Sequence, residues 1–234
     1  MQLLVSVSDV EEAHAALLGG AIVIDAKDPL LGALGAVTLD VFRQIHALVG
    51  GIRPVSAALG DTVDEEATGH IAGAYAGAGA GFVKIGFARP NDMARVGSLI
   101  DAAVRGAKPA GCGVIVATYA DEAAAFASRD ELVTVAAKRG ATGVLIDTVD
   151  KGGRGLRSLV ATDVLTAWIA AAHDAGLIVS VAGKLTVEDL TWARDCGADV
   201  VGVRGAACED GRTSRVTTER VRGLRAALSQ LAPG

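Results

Sequence analysis

The chain repeats one unit eight times: a short apolar run, a turn, then a longer stretch with helical spacing. The apolar runs lie at 2–7, 21–26, 54–59, 82–86, 112–118, 142–147, 177–182 and 199–203. Helical stretches alternate with them at about 9–18, 38–49, 65–79, 92–106, 129–139, 158–175, 186–196 and 216–230. Alternation of this kind predicts parallel strands joined by crossover helices. With no linker or break in composition, eight units close most naturally into one (β/α)8 TIM-like barrel over residues 1–234. An open doubly wound sheet is the alternative.

Local signals agree with this phasing. Asp9 before Val10-Glu11-Glu12 is an N-cap candidate, and Gly19-Gly20 is a stop. Thr186, three residues before Asp189, echoes a capping box, and Gly197 closes that helix. The Gly/Ala-rich segment from Ala72 to Gly81 has poor helix propensity but would allow a helix to approach the sheet closely.

Composition limits the partners. Apolar residues make up 51% of the chain, ample for a large core, while aromatics are 3% and the formal charge is −5. Base-stacking modules and broad phosphate-backbone surfaces are disfavoured, so no nucleic-acid partner is expected. No run reaches the roughly 18 apolar residues of a membrane span, and the first residues lack the basic region of a signal peptide. Cys112, Cys196 and Cys208 have neither metal-ligand spacing nor an even count, as expected of reduced thiols in the cytoplasm. Self-association through helix faces is expected of such a chain.

Alternation along each strand separates two sets of side chains. Val5/Val7, Ile22/Ile24, Val55/Ala57, Val83/Ile85, Val144/Ile146, Val179/Val181 and Val201/Val203 form an aliphatic, helix-facing set. Ser6/Ser8, Asp25/Lys27, Ser56/Ala58, Lys84/Gly86, Leu145/Asp147, Ser180/Ala182 and Gly202/Arg204 form the other, which turns polar toward the strand ends. Strand 112–118 does not sort.

The polar set carries the chemistry. Of six lysines, against sixteen arginines, Lys27, Lys84, Lys151 and Lys184 lie in or just after predicted strands. In a barrel those ends meet at the C-terminal mouth, where barrel enzymes keep their active sites. Lys27 and Asp25 stand on one strand face, either as a structural ion pair or as a reactive amine beside an acid. Lys84, in Phe82-Val83-Lys84-Ile85-Gly86-Phe87, can reach water only along the barrel axis. It is either paired with Asp25 or Asp147, or close enough to Lys27 that each disfavours protonation of the other. A neutral amine of this kind can attack a carbonyl and form a Schiff base. Asp147 could orient or protonate the lysines, or balance their charge. Glycines after Lys151 predict a mobile loop.

Ala182-Gly183-Lys184 and Arg204-Gly205-Ala206 close the last two strands, where barrels often bind phosphate. Gly183, Lys184, Arg204 and Gly205 are therefore phosphate-site candidates, with ordinary glycine turns as the alternative. Ser6, Asp25, Ser56 and Asp61 are candidates for lining a substrate site. His14, His46, His70 and His173 scatter over predicted helices and suggest packing or surface roles. Tyr119 could lend a hydroxyl to the mouth or simply pack. No metal triad, dinucleotide fingerprint or Ser–His–Asp constellation is present.

Several of these motifs occur in one order. They are Leu3-Leu4-Val5-Ser6, Ile24-Asp25-Ala26-Lys27-Asp28-Pro29 with Gly32-Ala33-Leu34-Gly35-Ala36, Pro54-Val55-Ser56-Ala57-Ala58-Leu59-Gly60-Asp61, Val83-Lys84-Ile85-Gly86, and Ile146-Asp147-Thr148 with Asp150-Lys151-Gly152. Together they resemble the (5-formylfuran-3-yl)methyl phosphate synthase family of methanofuran and methylofuran biosynthesis. The resemblance implies a TIM-like barrel that joins two glyceraldehyde 3-phosphates, losing one phosphate and two waters, without metal or organic cofactor. It implies that Lys27 is the Schiff-base lysine, Lys84 the general acid/base, and Asp147 and Lys151 supporting residues. Alternatives remain. The chain could be another Schiff-base aldolase, a hexulose-phosphate-synthase-like enzyme, or a non-catalytic phosphometabolite-binding barrel. The hexulose-phosphate pattern Asp-x-Lys continues to an acid three residues after the lysine, where this chain has Leu30.

Overall fold

The structure, a computed structural model, describes residues 1–87 and 92–230. Its parallel strands close in sequence order into a barrel: β1 (Gln2–Val7), β2 (Val23–Ala26), β3 (Val55–Thr62), β4 (Phe82–Phe87), β5 (Gly113–Tyr119), β6 (Gly143–Asp147), β7 (Ile178–Val181) and β8 (Val200–Val203). The last strand returns to the first, with Leu4 opposite Gly202 and Val5 opposite Val203. The closed ring rules out the open sheet.

The helices are α1 (Val10–Gly19), α2 (Leu39–Val49), α3 (Glu65–Gly77), α4 (Met93–Ala107), α5 (Ala123–Ala127), α6 (Arg129–Lys138), α7 (Leu156–Leu159), α8 (Thr162–Asp174), α9 (Asp189–Asp195) and α10 (Thr218–Gln230). The Asp9 carboxylate caps α1 by accepting from Glu12 N at 2.9 Å, and Gly20 ends it at φ 91°. The stretch expected as one helix over 158–175 is two, because Val160 and Ala161 are extended. Leu156 N donates to Gly183 O at 2.9 Å, so α7 is held to the loop after β7 instead of continuing the helix behind it. The short α5 lies in a segment expected to be a connection.

Two apolar clusters fill the fold. The larger packs the outward residues of the strands, such as Val5, Ile24, Val83, Ile146, Val179 and Val201, against the helices. Each fully buried aliphatic side chain of this set contributes about 1.5–3 kcal/mol relative to exposure. The smaller fills the barrel with Leu34, Ala58, Ile115, Ala117, Tyr119 and Leu145 among others. Strand β5 resolves here: Val114 and Val116 face the helices, while Ile115, Ala117 and Tyr119 face inward. Both of its faces are apolar, so alternation carried no polar signal to sort them.

The glycines of α3 serve helix–helix rather than helix–sheet contact. A Cβ on Gly106 of α4 would stand 2.1 Å from Gly69 O and 3.1 Å from Gly73 N. Gly106→Ala should therefore lower stability by about 1–3 kcal/mol, although alanine is the better helix former. Urea unfolding checks this; a neutral or stabilising effect would mean that α3 and α4 part freely.

Candidate active site

The site starts from strand register. Ser6, Asp25 and Ser56 are cross-strand partners on β1, β2 and β3, so their inward side chains form one row. The Asp25 carboxylate, fully buried, accepts from Ser6 Oγ at 2.9 Å and from Ser56 Oγ at 2.7 Å. Lys84 Nζ lies 2.6 Å from Asp25 Oδ2. Burial alone would raise the Asp25 pKa. Lys84, Lys27 and the hydrogen bonds outweigh it and hold the group below its ordinary carboxylate value, so it stays ionised.

A second pair closes the end of β6. Asp147 Oδ1 accepts from Lys151 Nζ at 2.7 Å and from Thr148 N at 2.7 Å, and Lys151 Nζ also donates to Thr148 O. Burial again raises the carboxyl pKa, but Lys151 and Lys27 dominate and lower it. The loop carrying Lys151, expected to be mobile, is braced at its base. Both Asp121 carboxylate oxygens accept from it, from Val149 N and Asp150 N, each at 2.8 Å.

Lys27 stands among these pairs. Its N–H donates to Val7 O at 2.9 Å, carrying the β1–β2 ladder one residue past the strand and keeping Lys27 in the inward phase of Asp25. Its ammonium is 7% exposed as a residue and makes no hydrogen bond or ion pair among the described residues. Burial lowers its pKa, Asp147 opposes that, Lys84 and Lys151 add to the lowering and Asp25 opposes it; the net value is about 8, against 10.5 ordinarily. The expected Asp25–Lys27 ion pair is thus absent: Asp25 pairs with Lys84, leaving Lys27 uncommitted.

A cavity of about 1220 Å³ opens at the strands' C-terminal ends, lined by Ser6, Lys27, Lys84, Asp147 and Lys151 on one side and by Gly183, Lys184 and Gly205 on the other. Lys184 is the only described non-glycine residue with positive φ, at 55°. Its Nζ donates to Gly153 O, linking the loops after β6 and β7. Ser180 and Arg212 also line the cavity. Ser180 belongs to the inward set, but Arg212 sits in an irregular loop where no periodicity could reveal it.

Four candidates need correction. The Arg204 guanidinium lines the cavity yet offers a phosphate nothing. It donates to Glu12 Oε1 at 3.1 Å, to Glu12 Oε2, to Ser6 O at 3.1 Å, to Arg212 O at 2.8 Å and to Ser214 O at 3.2 Å, which spends every N–H it has. Neither Asp25 nor Ser56 lines the cavity: Asp25 is fully buried against Ser6, Ser56 and Lys84, and Ser56 acts on Asp25. Asp61 does not line it either, and accepts from the Tyr119 hydroxyl at 2.6 Å. A register shift between Ala58 and Asp61 turns that carboxylate toward Tyr119. The pair passes over Gly86, where a Cβ would lie 2.1 Å from Asp61 Oδ1. None of the four histidines lines the cavity. Among the described residues no group of three or more His, Cys, Asp or Glu side chains could hold a metal ion, and no helix is long and apolar enough to cross a membrane.

A closed ring of eight parallel strands wrapped by helices defines the class, a (β/α)8 barrel, and its mouth holds Lys27, unpaired among the described residues, beside two lysine–carboxylate pairs. Solved structures agree on the fold. Phosphoribosyl anthranilate isomerase from Thermus thermophilus superposes with TM-score 0.70 at 18% identity, covering 99% of this chain and 100% of that one. A 3-hexulose-6-phosphate synthase superposes with TM-score 0.64 at 22% identity, covering 96% and 99%. Residues 3–225 match the family described as 4-HFC-P synthase. The (5-formylfuran-3-yl)methyl phosphate synthases of Methanothermobacter thermautotrophicus and Methanopyrus kandleri are 35% and 36% identical, each covering 97% of this chain and 99% of the relative. The chain belongs to the 4-HFC-P, or (5-formylfuran-3-yl)methyl phosphate, synthase family.

Proposed function

We propose that this protein condenses two glyceraldehyde 3-phosphates into (5-formylfuran-3-yl)methyl phosphate, releasing one phosphate and two waters, with Lys27 as the Schiff-base lysine. The observation that carries the reading is the Lys27 amine, buried and unpaired, with a pKa of about 8. A neutral fraction is available near neutrality to attack the aldehyde carbon of one triose, with water leaving as the imine forms. The protonated imine draws electrons from the adjacent carbon, a base removes its proton, and the enamine adds to the second aldehyde. Lys84 and Lys151, each held to a carboxylate, supply and accept protons through ring closure, dehydration and phosphate loss, and a water then hydrolyses the Lys27 imine, freeing the product aldehyde and returning the amine. The triose phosphates are the only partners the reaction requires. The three cysteines, free and buried, suit the cytoplasm.

Incubation with glyceraldehyde 3-phosphate should generate a furfural absorbance, and borohydride should fix a triose on Lys27. No furfural product from the intact protein would sink the proposal. The pH dependence follows from the amine. Because the neutral form is the nucleophile, kcat/KM should climb about tenfold per pH unit below 8 and level off above it. A flat profile from pH 6.5 to 9 would show that Lys27 deprotonation does not limit the reaction.

A further inference from the structure

The loop after β8 has a purpose that the amine chemistry leaves unexplained. Residues 208–216 form a small hairpin: Cys208 bridges Val216 in antiparallel fashion, and Glu209 N donates to Arg215 O at 2.9 Å. The buried Arg204 guanidinium grips it from beneath through the carbonyls of Arg212 and Ser214, while Glu12 accepts from Val216 N at 3.3 Å. The hairpin is thereby fixed over the cavity with Arg212 facing in.

The Arg212 side chain is poorly satisfied there. Its single hydrogen bond among the described residues is a long one, 3.3 Å, from Nη2 to Gly32 O across the mouth. Its other N–H groups meet no protein acceptor among those residues. Arg212 is half-buried and close enough to Asp147 for that charge to act on it, and Lys27 feels the same carboxylate. Of the other cations lining the cavity, Lys84 is paired with Asp25, Lys151 with Asp147 and Arg204 with Glu12, while Lys184, in the turn after β7, donates to Gly153 O and Arg220 donates to Glu209 O at 3.4 Å. Lys27 itself must be neutral to react.

We infer that Arg212 is the ligand of a second phosphomonoester, at an anion subsite separate from the Gly183–Lys184 and Gly205 turns. The inference rests on the proposed function, in which two phosphorylated trioses occupy the cavity together. One phosphate suits the turns after β7 and β8, and the other needs its own partner. A guanidinium with a free planar fork matches a phosphate dianion through paired N–H···O bonds, and a weak contact to one carbonyl is easily given up. The pairing of Asp147 with Lys151 keeps that carboxylate from repelling the incoming dianion at full strength.

The test uses glycerol 3-phosphate, which carries the dianion but no carbonyl. Calorimetric titration should find two equivalents bound by the intact protein and one by Arg212→Gln, with Arg212→Lys restoring the second at reduced affinity. In turnover, Arg212→Gln should need about 10- to 100-fold more glyceraldehyde 3-phosphate to reach the same rate, as expected for losing charge-assisted bonds. Equal stoichiometry in the intact protein and Arg212→Gln would overturn the inference. So would a failure of Arg212→Lys to recover any second binding. Failure of the proposed reaction would appear separately, as an intact protein that binds the probe yet forms no furfural product; the stoichiometry decides the subsite in either case.

Discussion

Lys27→Met is expected to abolish furfural formation and, in the same protein, to raise stability. On the proposed mechanism no imine forms without the amine, and loss of a covalent nucleophile commonly costs on the order of 10⁴-fold or more in turnover. The stability gain comes from the cost of that amine. Folding lowers its pKa from 10.5 to about 8, and at about 1.36 kcal/mol per unit the folded state carries a penalty of about 3 kcal/mol. The sign follows from proton binding. Between pH 8 and 10.5 the unfolded chain holds the Lys27 proton and the folded one has released it, so the intact protein gains stability as pH rises through that window. Below it both states are protonated and the penalty is complete. The advantage of the variant should therefore be about 3 kcal/mol at pH 7 and fade toward pH 10.5. Urea unfolding at both ends measures it. A variant that is less stable at pH 7, or that still turns over substrate, would contradict a strained catalytic amine.

Much of this arrangement is legible in the sequence, for a definite reason. Barrel strands alternate strictly, so an aliphatic outer set exposes by contrast every polar residue of the inner one. That contrast puts Ser6, Asp25, Lys27, Lys84 and Asp147 on the inner face of the barrel; Ser6, Lys27, Lys84 and Asp147 line its cavity, while Asp25 is buried against Ser6 and Lys84. The pattern could not tell which lysine meets which carboxylate. Asp25 is two residues from Lys27 in the chain, yet it pairs with Lys84 from β4 because β2 and β4 both aim inward. Nor could it separate a residue that faces the cavity from one that supports its neighbour, as Ser56 supports Asp25. Where alternation fails the signal fails: at β5, apolar on both faces, at the shift before Asp61, and in the loop that presents Arg212. Arg204 misled for a related reason. Its place after the last strand suits a phosphate site, but its partner Glu12 lies on α1, far away in sequence and without any periodic mark of inward burial.

Breaking that pair should be a large stability loss for a single side chain outside the apolar core. Glu12 and Arg204 are 1% and 8% exposed, and the carboxylate also accepts from Ser8 N at 2.8 Å and Ser8 Oγ at 3.0 Å. Glu12→Ala strands a guanidinium beneath the cavity, and Arg204→Leu strands a carboxylate; either should cost about 3–5 kcal/mol. Replacing both by leucine removes both charges and should recover a large part of that loss. Acid should erode the contribution of the pair. Burial raises the Glu12 pKa, but the Arg204 and Ser8 hydrogen bonds and the Arg204 charge carry it below its ordinary 4.5. Its stabilisation is thus complete above pH 4.5 and lost as pH falls through the lower folded value. Urea unfolding of the two single variants and the double one, at pH 7 and again at pH 4, measures the coupling and its pH dependence. If Arg204→Leu leaves stability intact and instead only raises the substrate concentration needed for turnover, Arg204 is a phosphate ligand after all and the clamp under the hairpin is not what holds it.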